Sequence, residues 1–311
     1  MEQLPLCNHG QHVVGDWQQS QSDDMPPCCA HDASEIVYND KHVCPARSAI
    51  DAGVRAARNT SEGLQAHDGK LAAVGGHGCS CARSPRHWQD RYAWRPSACR
   101  LPAWDAGLFC SRLGTRRVLF LGDSTMRQTF TVVVNRIAFD YIRGKASAAT
   151  CHDQLFFGQS DSLVKKQGDG GERGHPWQDW VQSMIPDIVI MSAGAHKLTA
   201  SKFNSTLHLV LDGWTAFPSV HFIWKTQQPG GCGATPGMVS HENAYNHGQF
   251  QTFDAMARSI LPPTRVLDVS PLYLRPDAHI GSNSTGKKDC LHLCIPGPLS
   301  LVPVLLHLQI A

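Results

Sequence analysis

Two short stretches carry residue types that could do covalent chemistry. Gly122-Asp123-Ser124 places a serine directly after an apolar run, and Asp289-Cys290-Leu291-His292 places a carboxylate and an imidazole three residues apart, late in the 311-residue chain. A serine hydroxyl is a weak nucleophile at neutral pH, so it needs a neighbouring base, and the base needs a group that fixes its tautomer. Three-residue separation lets Asp289 and His292 meet across one turn, the carboxylate holding one imidazole nitrogen while the other faces Ser124. Each stretch alone reads equally as something plainer. Asp and Ser are ordinary helix caps, and among 17 histidines an Asp-x-x-His is also a surface turn. An early serine and a late Asp-x-x-His within one α/β chain are together the pattern of an acyl-transfer site.

The elements that must position these residues are legible from about Arg117 onward. The unbroken apolar run 118–121 suits a strand buried on both faces of a parallel sheet. It leads through Gly122 into Ser124, where glycine permits a tight turn and a helix N-terminus favours developing negative charge. Met126, Phe130, Val133, Val134 and Ile137 recur at helical spacing, predicting a helix over 125–141. Further strands are expected over 186–191, 220–224 and 265–269, with helices over 206–214 and 244–260. Such alternation implies right-handed βαβ crossovers and a parallel sheet covered on both faces, with ligands at the carboxyl ends of its strands. Ser124 and Gly194 both fall at such ends.

Composition narrows the functional classes. A chain with 42% hydrophobic residues can bury a full core. The net charge of +2, without basic or acidic blocks, excludes an electrostatic nucleic-acid binder. Twelve cysteines are present, and Cys7, Cys28, Cys29, Cys44, Cys79, Cys81, Cys99 and Cys110 crowd the first 110 positions. Residues 1–90 therefore read as a Cys-rich, loop-rich and partly disordered N-terminal region, stapled by disulfides in an oxidising lumen or outside the cell. His77, Cys79 and Cys81 could bind zinc, but the Cys-x2-Cys pairs of structural zinc sites are missing, so no metal is expected. Sequons at Asn59, Asn204 and Asn283 are compatible with a secretory route. The first residues, Met1 to Cys7, lack a signal-peptide or anchor pattern, so either a leader is missing or the chain is cytosolic with free cysteines. The apolar run 299–308 holds Pro303 and His307 and is too short to span a bilayer.

The stretch Trp94-Arg95-Pro96-Ser97-Ala98-Cys99-Arg100-Leu101-Pro102, then residues 118–128, then Leu267-Asp268-Val269 with Leu274-Arg275-Pro276-Asp277-Ala278-His279, and last Asp289-Cys290-Leu291-His292-Leu293-Cys294-Ile295-Pro296-Gly297, resemble in this order the PC-esterase group of the SGNH hydrolase superfamily, and most closely its trichome birefringence-like proteins. Gly15-Asp16-Trp17 is similar to the Gly-x-Trp element that opens their Cys-rich region. The resemblance implies an SGNH-type three-layer α/β sandwich with a central parallel sheet over residues 91–311. It also implies O-acetylation of cell-wall or other extracellular polysaccharides in the Golgi lumen or along the secretory route, through an acetyl-serine intermediate. An acetyl donor would be the co-substrate, with no bound cofactor, and a polysaccharide the acceptor.

Carried over by position, Ser124 is similar to the family's nucleophile, His292 to its base and Asp289 to the orienting acid. Asp123 and Arg127 complete the GDS-x-x-Arg pattern, and Arg127 would lie near the acyl or sugar group unless it is only a solvated helix residue or a salt-bridge partner. The backbone N–H of Ser124 is the first oxyanion donor expected. The family's Asn-x-Gly-x-His/Trp block reads Ser192-Ala193-Gly194-Ala195-His196 here, so a shorter hydroxyl stands where the amide donor would be. Gly158 is a further oxyanion candidate, and His196 a structural or sugar-facing histidine. Leu293 replaces the tryptophan that usually follows the histidine, and the downstream Asp and Trp-Asn are missing, marking a divergent branch of algal or protist type. Cys290 or Cys294 could anchor the histidine segment through a disulfide or stay free. The same residues would serve an O-acetylesterase with water as acceptor, and the same fold a non-catalytic glycan-binding protein.

Overall fold

The computed structural model describes residues 4–8, 14–19, 92–142, 151–164, 174–196, 198–228, 230, 247–275, 279–282, 288–293 and 298–310. Its centre is a five-stranded, wholly parallel sheet. The strands are β3 (Val118–Gly122), β4 (Leu155–Gln159), β5 (Ile188–Met191), β6 (His221–Lys225) and β7 (Val266–Leu267), arranged in space as β4-β3-β5-β6-β7. Two short antiparallel pairs lie outside it: β1 (Gly15–Gln19) with β2 (Tyr92–Pro96), and β8 (His279–Ser282) with β9 (Lys288–Leu293).

Alternate residues of the central strands feed two separate cores, as a pleated sheet buried on both faces requires. Val118 and Phe120, Ile188 and Ile190, and Ile223 point to one side. There they meet α1 (Ala106–Leu113), α2 (Ser124–Ile142) and α6 (Leu301–Ile310). Leu119, Leu121, Val189, Met191, Phe222 and Trp224 point to the other. There they meet α3 (Trp177–Met184), α4 (Ala200–Trp214) and α5 (Phe250–Ile260). The result is an α/β/α three-layer arrangement. Aromatic packing is dense on the second face, with Phe203 stacked on Phe253 at 4.3 Å and Trp214 on Phe222 at 4.9 Å between ring centres.

The expected strands and helices lie where the apolar periodicity puts them, with informative differences. The strand expected over 265–269 is only two residues long, because Val269 already leads into a 3-10 turn over Ser270–Leu274. The helix expected over 244–260 is described from Phe250, after a 3-10 turn at His247–Gln249, while 244–246 lie outside the described residues. Strand β4 had no clear pattern, since Leu-Phe-Phe-Gly-Gln is short and carries a glycine. Helix α6 arises from the apolar run 299–308. It is buried almost all round and so lacks a polar stripe, and Pro303 sits in its first turn, where the missing N–H costs nothing. Residues 289–292 form part of strand β9 rather than a turn.

Most of residues 1–90 lie outside the described residues, including the zinc candidates His77, Cys79 and Cys81. The described parts are fastened to the α/β layers. β1 pairs with β2, Trp17 Nε1 donates to Pro271 O at 2.9 Å, and the Arg275 guanidinium stacks over the Trp17 ring. Disulfides join Cys7 to Cys99 and Cys110 of α1 to Cys151, just before β4. The Cys290 side chain and Cys294 lie outside the described part of the chain. Among the described residues no helix is long and apolar enough to cross a membrane.

Candidate active site

Strand order singles out one place on the sheet. From β3 the chain crosses to β4 on one side, then returns past β3 to β5 on the other. Connections diverge between β3 and β5, opening a crevice at their carboxyl ends, the usual ligand position in open α/β sheets. Ser124 follows β3 and Ser192 follows β5, so both stand at this switch point.

The turn into α2 is tightly built. The N–H of Ser160, at the end of β4, donates to Gly122 O at 2.9 Å, and that of Ser192 donates to Leu121 O at 3.2 Å. Asp123 is buried and caps the helix: its Oδ1 accepts from Thr125 N and from Thr125 Oγ1, each at 2.8 Å. That employment gives Asp123 a structural role in the turn. Ser124 becomes the first helical residue, partly exposed, with its hydroxyl toward the crevice.

His292 reaches the serine from the far end of the chain. Its Nε2 lies 2.7 Å from Ser124 Oγ, and its ring is buried. In the tautomer protonated on Nδ1, Nε2 accepts the serine proton, the geometry a general base requires. The backbone of Asp289 lies on the same strand β9, paired opposite Gly281. Its side chain lies outside those described.

The other candidates occupy the same edge of the sheet, with distinct partners. Arg127 stands one turn along α2 from Ser124; its guanidinium stacks on Phe157 at 4.9 Å and its Nη2 donates to Gln159 Oε1 at 3.5 Å. Gln159 Nε2 in turn donates to Asp161 Oδ1, and Asp161 Oδ2 lies 3.8 Å from His196 Nε2. A polar track thus runs from α2 past the ends of β4 and β5. Ser192 is buried, its Oγ accepting from Gln227 Nε2 at 3.1 Å. Gly194 has a positive φ of 139°, and a Cβ there would meet Phe253 at 3.0 Å and Gln227 at 3.3 Å. Gly158 has a packing reason: a Cβ would come within 2.8 Å of the Trp180 ring and 2.9 Å of Leu121.

Sequence reasoning passed over the polar residues that assemble this site. Directly after the apolar part of β6, Lys225, Thr226, Gln227 and Gln228 are all fully or almost fully buried. Burial lowers the Lys225 pKa from 10.5 to about 8, opposed by the carboxylates of Asp123 and Asp254. Burial raises the Asp254 pKa from 3.8 to about 7, opposed by hydrogen bonds from Gln227 N–H at 2.7 Å and Tyr273 O–H at 3.0 Å. A run of four polar residues at a buried strand's carboxyl end was the available signal, since polar groups are interred only when they are partnered. Among the described residues no cluster of histidine, cysteine, aspartate or glutamate could hold a metal ion.

Comparison with known proteins adds one partial likeness. No family model matches the chain. A stretch of 56 residues is 41% identical to a protein named probable xylan O-acetyltransferase 9, from Oryza sativa subsp. japonica. The match covers 18% of this chain and 12% of the rice protein, so the chain aligns with only a small part of that relative's length.

Proposed function

We propose that this chain is a serine-dependent O-acetyltransferase of SGNH type, related to the PC-esterase and trichome birefringence-like proteins, that acetylates a polysaccharide in the Golgi lumen or outside the cell. The observation that carries the reading is the 2.7 Å approach of His292 Nε2 to Ser124 Oγ at the sheet's switch point. The parallel-sheet architecture, the disulfides and the partial likeness to a named xylan O-acetyltransferase support it.

In the proposed reaction Ser124 Oγ attacks the acetyl carbonyl of a donor as its proton passes to His292 Nε2. The oxyanion forms against the N–H of Ser124 at the start of α2, with Ser192 and the Gly194 backbone on the opposite side of the crevice. Collapse breaks the bond between the acetyl carbon and the donor's leaving group, and His292 returns the proton to that departing group. A sugar hydroxyl then gives its proton to His292 and attacks the acetyl-serine, which releases Ser124 with its proton restored. Asp289 holds the imidazole tautomer through both steps, while Arg127 and His196 face the acyl or sugar groups.

Ser124→Ala tests this directly. It should abolish acetyl transfer by roughly a thousandfold or more and remove the acetyl adduct from the peptide carrying residue 124 by mass spectrometry. Full retention of transfer would overturn the proposal. Counting acetyl groups gained by a polysaccharide against acetate released separates transfer from hydrolysis, which the same residues would perform with water as acceptor.

A further inference from the structure

Strand β9 carries His292 but belongs to the two-stranded β8–β9 pair, outside the central sheet whose β3 delivers Ser124. Something must hold these separate units to within hydrogen-bond distance. Two buried glutamines meet that need. Gln128 lies four residues after Ser124 on α2, hence on the same face of the helix. Its Nε2 donates to Leu293 O at 2.6 Å and its Oε1 accepts from Leu293 N at 3.2 Å. The side-chain amide thus pairs with the backbone of the residue after His292 as a neighbouring strand would. Gln228, beyond the end of β6, donates through Nε2 to Gln128 Oε1 at 2.9 Å and to Leu291 O at 3.3 Å, the carbonyl just before His292. Both glutamines are almost wholly buried. Leu291 and Leu293 are packed in the two different cores, one on each side of the sheet.

We propose that Gln128 and Gln228 form an amide clamp that positions His292 on Ser124, a role that rests on the Ser124–His292 reading above. The helix that presents the nucleophile also grips the strand that presents the base, so the distance between them is set by one short, buried hydrogen-bonded path. Neither glutamine touches the reacting atoms; both act through the backbone on either side of His292. Leucine packing alone would keep β9 attached yet leave it free to slide. Two hydrogen bonds to Leu293 and one to Leu291 remove that freedom.

The test uses the full chain and a fluorophosphonate probe. Ser124 Oγ displaces fluoride from phosphorus while His292 takes the proton, so labelling reports nucleophile activation without donor or acceptor. Gln128→Met keeps the side chain's length and removes its hydrogen bonds. It should lower the maximal labelling rate by about 100-fold, the order expected of a 1 Å misplacement, with the probe's half-saturating concentration and the circular dichroism spectrum unchanged. Gln128→Glu offers the same donor and acceptor pattern only when protonated, so its rate relative to wild type should recover as pH falls. If Gln128→Met does not fold, Gln228→Met, gripping the strand from the other side, is read against the same outcomes. A folded variant labelled within about twofold of wild type overturns the clamp and leaves the nucleophile standing. An unlabelled wild-type chain overturns the nucleophile, and the clamp with it.

Discussion

Gly122 and Ser192 are pressed together so closely that a Cβ on the glycine would lie 2.6 Å from the serine's carbonyl oxygen and 3.0 Å from Met126 Cβ. Gly122 ends β3 and Ser192 follows the adjacent strand β5, so their contact lies at the crevice that Ser124 adjoins. Backbone lies on one side of the missing methyl and a buried helix residue on the other, and neither yields by rotating a side chain. Gly122→Ala should therefore destabilise the fold by about 1–3 kcal/mol, as inserted methyl groups do in tight cores. Its labelling by a serine-directed phosphonate should fall as well. Urea unfolding and labelling rate, measured on one preparation, check both.

Asp123 separates capping from charge. Its carboxylate accepts the Thr125 N–H and hydroxyl inside a buried turn. Asp123→Ala should cost about 1 kcal/mol of stability, the usual loss for an N-cap, whereas Asp123→Asn, which keeps an acceptor oxygen, should lie within a few tenths of wild type. A large loss of stability in Asp123→Asn would show that the negative charge, felt by buried Lys225, is what matters there. Urea denaturation of the pair of variants distinguishes the two.

Asp254 gives a pH dependence with a definite sign. Its folded pKa is raised from 3.8 to about 7, so between those values the folded chain binds more protons than the unfolded one. Its contribution is fully present below pH 3.8 and is lost as pH rises through about 7. Asp254→Asn stays neutral at every pH, and its amide can accept from Gln227 N–H and donate to the Tyr273 oxygen. The variant should gain thermal stability relative to wild type as pH increases from 5 to 8. A difference that does not change over that range would contradict the assignment.

Much of the sheet could be read before folding, because 118–121, 188–191 and 222–224 are apolar runs closed by glycine, serine or polar residues. Their burial on both faces follows from that pattern alone. Helix α6 was legible only as an apolar run, since a helix buried nearly all round has no polar side to reveal its period. Ser124 and His292 announced themselves by residue type, yet the path between them did not. Glutamine is neutral, and Gln128 and Gln228 acquire meaning only when the fold brings 128, 228 and 291–293 together. Asp289 and His292 were read as neighbours across a turn because three-residue spacing suggests one. Strand β9 arises instead from pairing with β8, a tertiary preference that local spacing does not express.

The bond between Cys7 and Cys99 spans 92 positions and makes that part of the chain a closed covalent ring. β1 and β2 pair just inside its junction, and their contacts with the α/β layers hold the ring at its base. A single peptide-bond cut anywhere within the ring therefore leaves one molecule. The nicked chain would migrate as a single species until reductant is added, and only then part into two pieces. In that sense the Cys-rich region is tied to the α/β part of the protein at both ends, and the long sequence between can be interrupted without being lost.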